Sequence, residues 1–213
     1  MFDGYVIFLV VLAIGVFLIE RNTPYFKGKI GERFVSKKLK RLDKNYYKVL
    51  DDLLLPSDGK IVDTAQIDHI VVSNYGIFVI ETKDWYGQVY GSVDKEFWSV
   101  YVRGYPKKLY NPLFQNETHK RAVEALIKPV YPNIPIKSFV ALPDAIKEIK
   151  VYGAENSVGY AGEIINKIKT FNTEVISGID RDKIVEIIRG ANITGWKARR
   201  LHNKEVQAIK NRH

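Results

Sequence analysis

Three charged side chains stand at one end of a predicted β-hairpin: Asp68, Glu81 and Lys83. The hairpin consists of two apolar runs joined by a turn at residues 74–76. Because side chains alternate along a strand, Glu81 and Lys83 point to the same side. Two carboxylates beside a lysine can bind a divalent cation and position a water, so the hairpin is a candidate site for phosphodiester cleavage.

The length of the turn decides whether the two acids share a face. A two- or four-residue turn places Asp68 opposite Glu81, whereas a three-residue turn puts Asp68 on the other face, and Gly76 allows either. We predict the shared face, on which Lys83 would orient the attacking water or neutralise charge in the transition state. A solvated salt bridge is the alternative interpretation of the trio. The strongly apolar strands around these charges argue against it, and so does Glu32, which lies at the edge of a helix's inward face.

Composition narrows the class of protein. With 213 residues the chain can form one substantial α/β domain and a small appendage. It has no cysteine, which excludes disulfides, zinc fingers and thiol nucleophiles. Its net charge of +9 suggests an anionic partner, and both nucleic acid and anionic lipid fit. A solvated basic surface is the other interpretation of this charge.

Residues 4–19 are apolar and carry no charge, which predicts a transmembrane anchor over residues 1–21. A buried core helix is the alternative, and a cleaved signal fits poorly because Asp3 precedes the run. The lysines and arginines that follow the run predict an outside N-terminus and a cytoplasmic C-terminal domain, by the positive-inside bias.

The rest of the chain reads as alternating helices and strands. Asn111-Pro112 is a strong helix start, with Asn as the N-cap and Pro at the first helical position. The first helix after the anchor carries an apolar stripe of Ile30, Phe34, Val35, Leu39 and Leu42. The predicted elements are a helix over 28–42, strands over 46–50, 66–73 and 77–83, a loop over 53–60, strands over 87–91 and 97–101, a helix over 111–128, a strand over 136–142, a short strand at Val158, and helices over 163–170, 181–189 and 195–210.

Several motifs together carry a family resemblance. They are Gly28-x-x-Gly31-Glu32, Gln66-Ile67-Asp68-His69-Ile70, Gly76-Ile77-Phe78-Val79-Ile80-Glu81-Thr82-Lys83, Gly87-x-Val89-x-Gly91, Trp98, and Asn111-Pro112-x-x-Gln115-x-x-x-His119. In this order they resemble the nuclease-related domain (NERD) family. The resemblance implies a mixed α/β fold, namely the restriction-endonuclease-like αβββαβ core of the PD-(D/E)xK nuclease superfamily. We expect the NERD domain over 22–145 and a helical C-terminal extension over 146–213, packed on or beside the core.

The resemblance also implies a role for each site residue. Asp68 matches the metal-binding aspartate, and Glu81 and Lys83 match the (D/E)xK pair of second metal ligand and catalytic lysine. Glu32 matches the acid on the first helix that often supports the metal. Gln115 matches a glutamine that contacts substrate or the lysine. The implied cofactor is Mg²⁺ or Mn²⁺.

Other polar residues are weaker candidates. We expect His69 to face away from Asp68 as a packed or hydrogen-bonded histidine. His119 lies one helical turn after Gln115, so it is a candidate substrate contact or a structural residue. Arg199 and Arg200 belong to a basic terminal helix. That helix could bind a phosphate backbone, lie on an anionic membrane, or pack on the domain as a solvated cap.

Two functions follow from these observations. The first is a membrane-tethered, metal-dependent nuclease that cleaves or processes DNA, with Asp68, Glu81 and Glu32 at the metal and Lys83 assisting the water. The alternative is a non-catalytic module that binds nucleic acid or serves as a scaffold at the cytoplasmic membrane face.

Overall fold

The structure is a computed structural model that describes residues 28–59, 62–144 and 146–210. The predicted membrane anchor lies outside this range, and no helix in the described part is long and apolar enough to cross a bilayer. The elements are α1 (residues 28–39), β1 (Tyr47–Pro56), β2 (Thr64–Ser73), β3 (Gly76–Thr82), β4 (Gly87–Ser92), β5 (Phe97–Val102), β6 (Tyr105–Tyr110), α2 (Pro112–Ile127), β7 (Ile136–Leu142), β8 (Ile146–Tyr152), β9 (Val158–Tyr160), α3 (Ala161–Thr170), α4 (Gly178–Ala191) and α5 (Trp196–Lys210).

A five-stranded sheet forms the centre of the fold, in the order β1-β2-β3-β7-β9. The first three strands are antiparallel neighbours, and β7 and β9 are added in parallel. The predicted mixed α/β architecture is therefore confirmed. The predicted order of helix, three strands, helix and strand is also present, with β4–β6 inserted before α2.

Helices cover both faces of this sheet because strands β2 and β3 are apolar on both sides. Ile70 and Val79 pack with residues of α2 and α4 in one buried cluster. Val71 and Phe78, each one residue away, pack with residues of α1 and α3 in a second cluster on the opposite face. Because neighbouring strand residues face opposite ways, a run without polar alternation is buried on both sides.

A second sheet has the order β6-β5-β4-β8, and β4 and β8 pair in parallel. The sequence predicted β4 and β5 but neither β6 nor β8. The β6 sequence Tyr-Pro-Lys-Lys-Leu-Tyr is almost wholly exposed. Proline and lysine are typical of edge strands, which carry little of the apolar signal that predicts a strand.

Two local predictions were wrong. Residues 53–56 are not a loop, since β1 continues to Pro56 and Leu54 and Leu55 are fully buried. Ile30 and Phe34 do not face the core, because their side chains are 62% and 40% exposed. The inward line of α1 runs through residues 31, 35 and 39. A step of one residue turns a helix by about 100°, so positions 30 and 34 lie off that line.

Candidate active site

The hairpin between β2 and β3 has a two-residue turn. Ser73 pairs with Gly76, His69 pairs with Ile80, and the same register carries Asp68 opposite Glu81. Gly76 has a φ of +136°, a backbone conformation that favours glycine. The turn therefore has one of the lengths that bring the two acids to a shared face.

The carboxylate of Asp68 extends the ladder between the two strands. Its Oδ2 accepts a hydrogen bond from the main-chain nitrogen of Thr82 at 2.8 Å. Burial raises the pKa of Asp68 well above its ordinary value, and the negative charges of Glu81 and Glu32 raise it further. An ionised Asp68 at this position therefore needs a cation beside it.

Glu81 is buried and already has one cationic partner. Its Oε1 lies 2.6 Å from Nζ of Lys83. Its Oε2 lies 3.2 Å from Nδ1 of His119, but the two atoms are not aligned for a hydrogen bond. Neither atom has a hydrogen-bond partner among the described residues. Burial raises the pKa of Glu81, but Lys83 and His119 outweigh it and lower the pKa to about 2. Glu81 is thus ionised, with one oxygen not hydrogen-bonded.

Lys83 links the sheet to helix α2. Its Nζ donates a hydrogen bond to Oε1 of Gln115 at 2.8 Å. Burial lowers the pKa of Lys83, but the negative charge of Glu81 outweighs it and the pKa is raised overall. Lys83 is therefore an ammonium ion, suited to neutralising charge or orienting a water rather than to accepting a proton.

Helix α2 is positioned at two points. Asn111 caps its first turn, with Oδ1 accepting from the nitrogen of Leu113 at 2.9 Å, as predicted. The fully buried Asn116 holds the middle of the helix against the sheet. Its Nδ2 donates to the carbonyl oxygens of Val79 at 3.1 Å and Phe139 at 2.8 Å, and to Oγ of Ser138 at 2.8 Å. Asn116 was not predicted, although an asparagine beside Gln115 in the helix was a usable signal.

Glu32 reaches the site from α1. Its negative charge contributes to the raised pKa of Asp68, while its own Oε2 is ion-paired with Nζ of Lys29 at 2.7 Å. Lys29 also lies 3.3 Å from Oδ1 of Asp52, and Nη1 of Arg199 contacts the same oxygen at 2.8 Å. A chain of charges thus joins Glu32 to helix α5.

The weaker candidates fall in three different environments. His69 faces away from the site, where Nδ1 lies 2.8 Å from Asp51 and Nε2 lies 3.1 Å from Oγ1 of Thr82. This agrees with the predicted hydrogen-bonded role. Arg199 contacts Asp52 through both terminal nitrogens, because its Nη2 also donates to the Asp52 carbonyl oxygen at 2.8 Å. Arg200 is exposed.

The donor set can be compared with what a divalent cation requires. Among the described residues there is no cluster of three or more His, Cys, Asp or Glu side chains arranged to hold a metal. Mg²⁺ is often bound by only one or two carboxylates, together with waters and substrate phosphate. Asp68 and Glu81 are two such carboxylates, and the Glu81 oxygen without a hydrogen bond is an available donor. These residues fit a Mg²⁺ or Mn²⁺ site that is completed by water and substrate.

Comparisons with known proteins match the part of the chain that carries the candidate site. Residues 27–143 match the family described as NERD, nuclease-related domain. A Bacillus anthracis protein, the uncharacterized protein pXO1-01, is 30% identical over 187 residues, which cover 88% of this chain and 87% of that relative. No solved structure matches the chain. The family match spans α1 to β7, so it contains every predicted site residue except the arginines of α5.

Proposed function

This chain belongs to the nuclease-related domain family, and we propose that it is a membrane-tethered nuclease that hydrolyses DNA phosphodiesters with Mg²⁺ or Mn²⁺. In this proposal the apolar run 4–19 spans the membrane, the N-terminus lies outside, and the nuclease domain faces the cytoplasm. The basic net charge of +9 supports a polyanionic substrate.

The order of elements supports the PD-(D/E)xK assignment. Helix α1, strands β1–β3, helix α2 and strand β7 follow one another as in the αβββαβ core of that superfamily, with β4–β6 as an insertion. Glu81 lies at the end of the third strand of this series, and Lys83 is the first residue after that strand.

One observation carries the proposal. The register of β2 and β3, carried one residue beyond the pair of His69 and Ile80, places Asp68 opposite Glu81, and Lys83 contacts Glu81 at 2.6 Å. In a solvated surface patch, water would hydrate both oxygens of each carboxylate. In Glu81 one oxygen is buried without a hydrogen bond, which costs free energy unless that oxygen binds a ligand.

The residues would divide the chemistry as follows. A bound cation would polarise the scissile phosphate and lower the pKa of a coordinated water. Asp68 and Glu81 would hold that cation, with Glu32 supporting them from α1. The ammonium of Lys83 would neutralise negative charge on the phosphate oxygens in the transition state. Gln115 would keep Lys83 pointed at the phosphate.

The test is DNA cleavage by the full-length chain with Mg²⁺, with Mn²⁺ and with EDTA. We expect cleavage only with the cations, and a loss of about a hundredfold or more in Glu81→Gln and in Lys83→Met. Asp94→Asn is a matched control, because it makes the same kind of change at a carboxylate that is 66% exposed. An independent readout is the thermal midpoint, which Mn²⁺ should raise in the native chain but not in Glu81→Gln. Cleavage that is unchanged in Glu81→Gln would refute the proposal.

A second candidate is a nucleic-acid-binding module without turnover. It is favoured by the ion pair that Lys83 forms with Glu81, and by the lack of a three-ligand cluster in the described ranges. This candidate predicts no cleavage under any metal condition. It also predicts salt-dependent DNA binding that survives Glu81→Gln.

A further inference from the structure

A groove of about 770 Å³ opens on the second sheet, next to the end of β3. Its wall begins at Asp84, the residue after Lys83, and continues through Trp85 and Tyr86. The opposite wall comes from the hairpin of β5 and β6, and Lys147 of β8 closes one side. We term it the β4–β6 groove. None of Asp68, Glu81 and Lys83 lines it.

Aromatic rings line the groove and are held in place by other rings. Trp85 packs edge-on against Trp98, with ring centroids 6.3 Å apart. Tyr101 packs edge-on against Tyr90 at 5.5 Å. Tyr86 is 47% exposed. Aromatic rings of this kind stack on nucleobases with little preference for sequence, because every base has a π-face.

Three cations share the groove with these rings: Arg103, Lys107 and Lys147. All three are exposed, and none forms an ion pair with another residue of the described ranges. By contrast, the nearby Lys150 is neutralised by Glu148 at 2.7 Å. Among the described residues that line the groove, Asp84 is the single acid. The net charge of the groove is therefore positive and complements a polyanion.

Two glycines shape the backbone of the groove. Gly87, one of the lining residues, has a φ of +96°, and a Cβ there would stand 1.9 Å from the carbonyl oxygen of Tyr101. The hairpin tip is a two-residue turn in which Arg103 and Gly104 have φ values of +53° and +84°. Both positive angles are typical of the tight turn that joins twisted antiparallel strands. Arg103 therefore lies in the tight turn of the β5–β6 hairpin, and Lys107 lies on the paired strand β6.

The groove adjoins the candidate active site through Asp84. Lys83 and Asp84 are adjacent in the chain, and Gly31 of α1 packs on Asp84 so closely that a Cβ would stand 2.8 Å from the Asp84 Cβ. Glu32 follows Gly31 directly. Asp84 therefore follows the (D/E)xK pair in the chain and contacts the residue that precedes Glu32.

We propose that the β4–β6 groove binds a single-stranded segment of nucleic acid and leads it to the site at Asp68, Glu81 and Lys83. In a duplex the base faces are covered by neighbouring pairs, whereas unpaired nucleotides can stack on Trp85, Tyr86 and Tyr101. The three cations bind the phosphates between those bases. The inference rests on the proposed nuclease function, and it defines the substrate as nucleic acid with an unpaired segment beside the scissile bond.

The test is binding of a short fluorescein-labelled oligothymidylate by the full-length chain in EDTA, over a range of salt concentrations. We expect tighter binding than to a duplex of equal length. Arg103→Ala/Lys107→Ala/Lys147→Ala should weaken binding at least tenfold and reduce the log–log salt slope by about 2, because each contact with a single strand contributes about 0.7. Tyr86→Ala should weaken binding about fivefold to 150-fold.

Matched controls separate the groove from general charge. Lys37→Ala/Lys44→Ala/Lys169→Ala removes the same charge at exposed positions outside the groove, and Tyr152→Ala removes a tyrosine that is 67% exposed. Both should bind oligothymidylate within about twofold of the native chain. Circular dichroism melting should show that all variants remain folded.

The outcomes distinguish the groove from the catalytic proposal. Oligothymidylate binding that depends on the groove residues and survives in Glu81→Gln supports the inference, even where no cleavage is found. Preference for duplex, or equal losses in the groove and control triple variants, overturns it, even where Mn²⁺-dependent cleavage is observed. Binding to anionic vesicles with none to oligothymidylate also overturns it.

Discussion

Asp68 and Thr82 are joined by a hydrogen bond at the point where the pairing of β2 and β3 ends. The Asp68 carboxylate accepts from the Thr82 nitrogen at 2.8 Å, one step beyond the pair of His69 and Ile80. A side chain thus continues the ladder where the two backbones stop pairing. This contact holds one Asp68 oxygen beside Glu81, and the predictions below concern the residues that support the same arrangement.

Gln115 accepts a hydrogen bond from Lys83, the lysine to which we assign the catalytic role. In Gln115→Ala, Lys83 loses its hydrogen bond to Oε1, so we expect cleavage to fall about 10- to 150-fold, corresponding to roughly 1.5–3 kcal/mol for a bond to a charged group. The measurement is the single-turnover cleavage rate with Mn²⁺. Glu117→Gln, on the same helix but paired at the surface with Lys120, should retain the native rate. Equal rates in Gln115→Ala and the native chain would contradict the role.

Asn116 holds α2 on the sheet. Asn116→Leu leaves the Val79 and Phe139 carbonyl oxygens without this donor, so we expect the free energy of unfolding to fall by about 1–3 kcal/mol. Urea denaturation measures this change. Thr170→Val makes a comparable polar-to-apolar change at an exposed helix end and should cost less than about 1 kcal/mol. A loss in Asn116→Leu no larger than in that control would show that the buried amide does not stabilise the packing.

Arg199 joins helix α5 to Asp52 of strand β1. Arg199→Met removes two contacts with Asp52, to Oδ1 and to the carbonyl oxygen, so amide hydrogen exchange over 196–210 should accelerate about tenfold or more. Arg200→Met is a closely matched control because that neighbouring arginine is exposed. Indistinguishable exchange in the two variants would mean that the contact with Asp52 does not hold the helix.

Asp51 supports the face of the sheet opposite the candidate active site. Burial raises the pKa of Asp51, but hydrogen bonds from His69, Lys40 and Ser36 outweigh it and hold the pKa well below its ordinary value. Because the pKa of Asp51 is lower in the folded than in the unfolded chain, its ionised carboxylate stabilises the fold at pH values above the unfolded pKa of about 3.9. This stabilisation is lost as the pH falls through the folded pKa. Asp51→Asn should therefore cost about 1.5–3 kcal/mol at pH 7, and less below about pH 4.

Urea unfolding at neutral and acidic pH measures the Asp51 effect. Asp144→Asn breaks an ion pair with Lys38 at a carboxylate that is 55% exposed, and should change stability by less than about 1 kcal/mol. A penalty for Asp51→Asn that stays constant between pH 7 and pH 3 would contradict the proposed linkage.

Several elements could be predicted because their signals are local. Strand β7 has the predicted bounds, and α2 begins at Asn111-Pro112 because an N-cap and a proline act within one helical turn. The residue types of the candidate site were also visible, since Asp68, Glu81 and Lys83 end two apolar runs. Strands β6 and β8 could not be predicted in this way, because their residues become a sheet only by pairing with β5 and β4.

The sequence by itself determined which side chains could do chemistry and which segments carry them. Only the tertiary structure decided that the turn has two residues, the length whose register places Asp68 opposite Glu81. Only the tertiary structure also decided that Lys83 donates a hydrogen bond to Gln115. It also gave Arg199 a partner in Asp52, far away in the chain. The physical reason is range: capping, turns and periodicity act between near neighbours, whereas register and side-chain pairing depend on residues that meet only when the chain has folded.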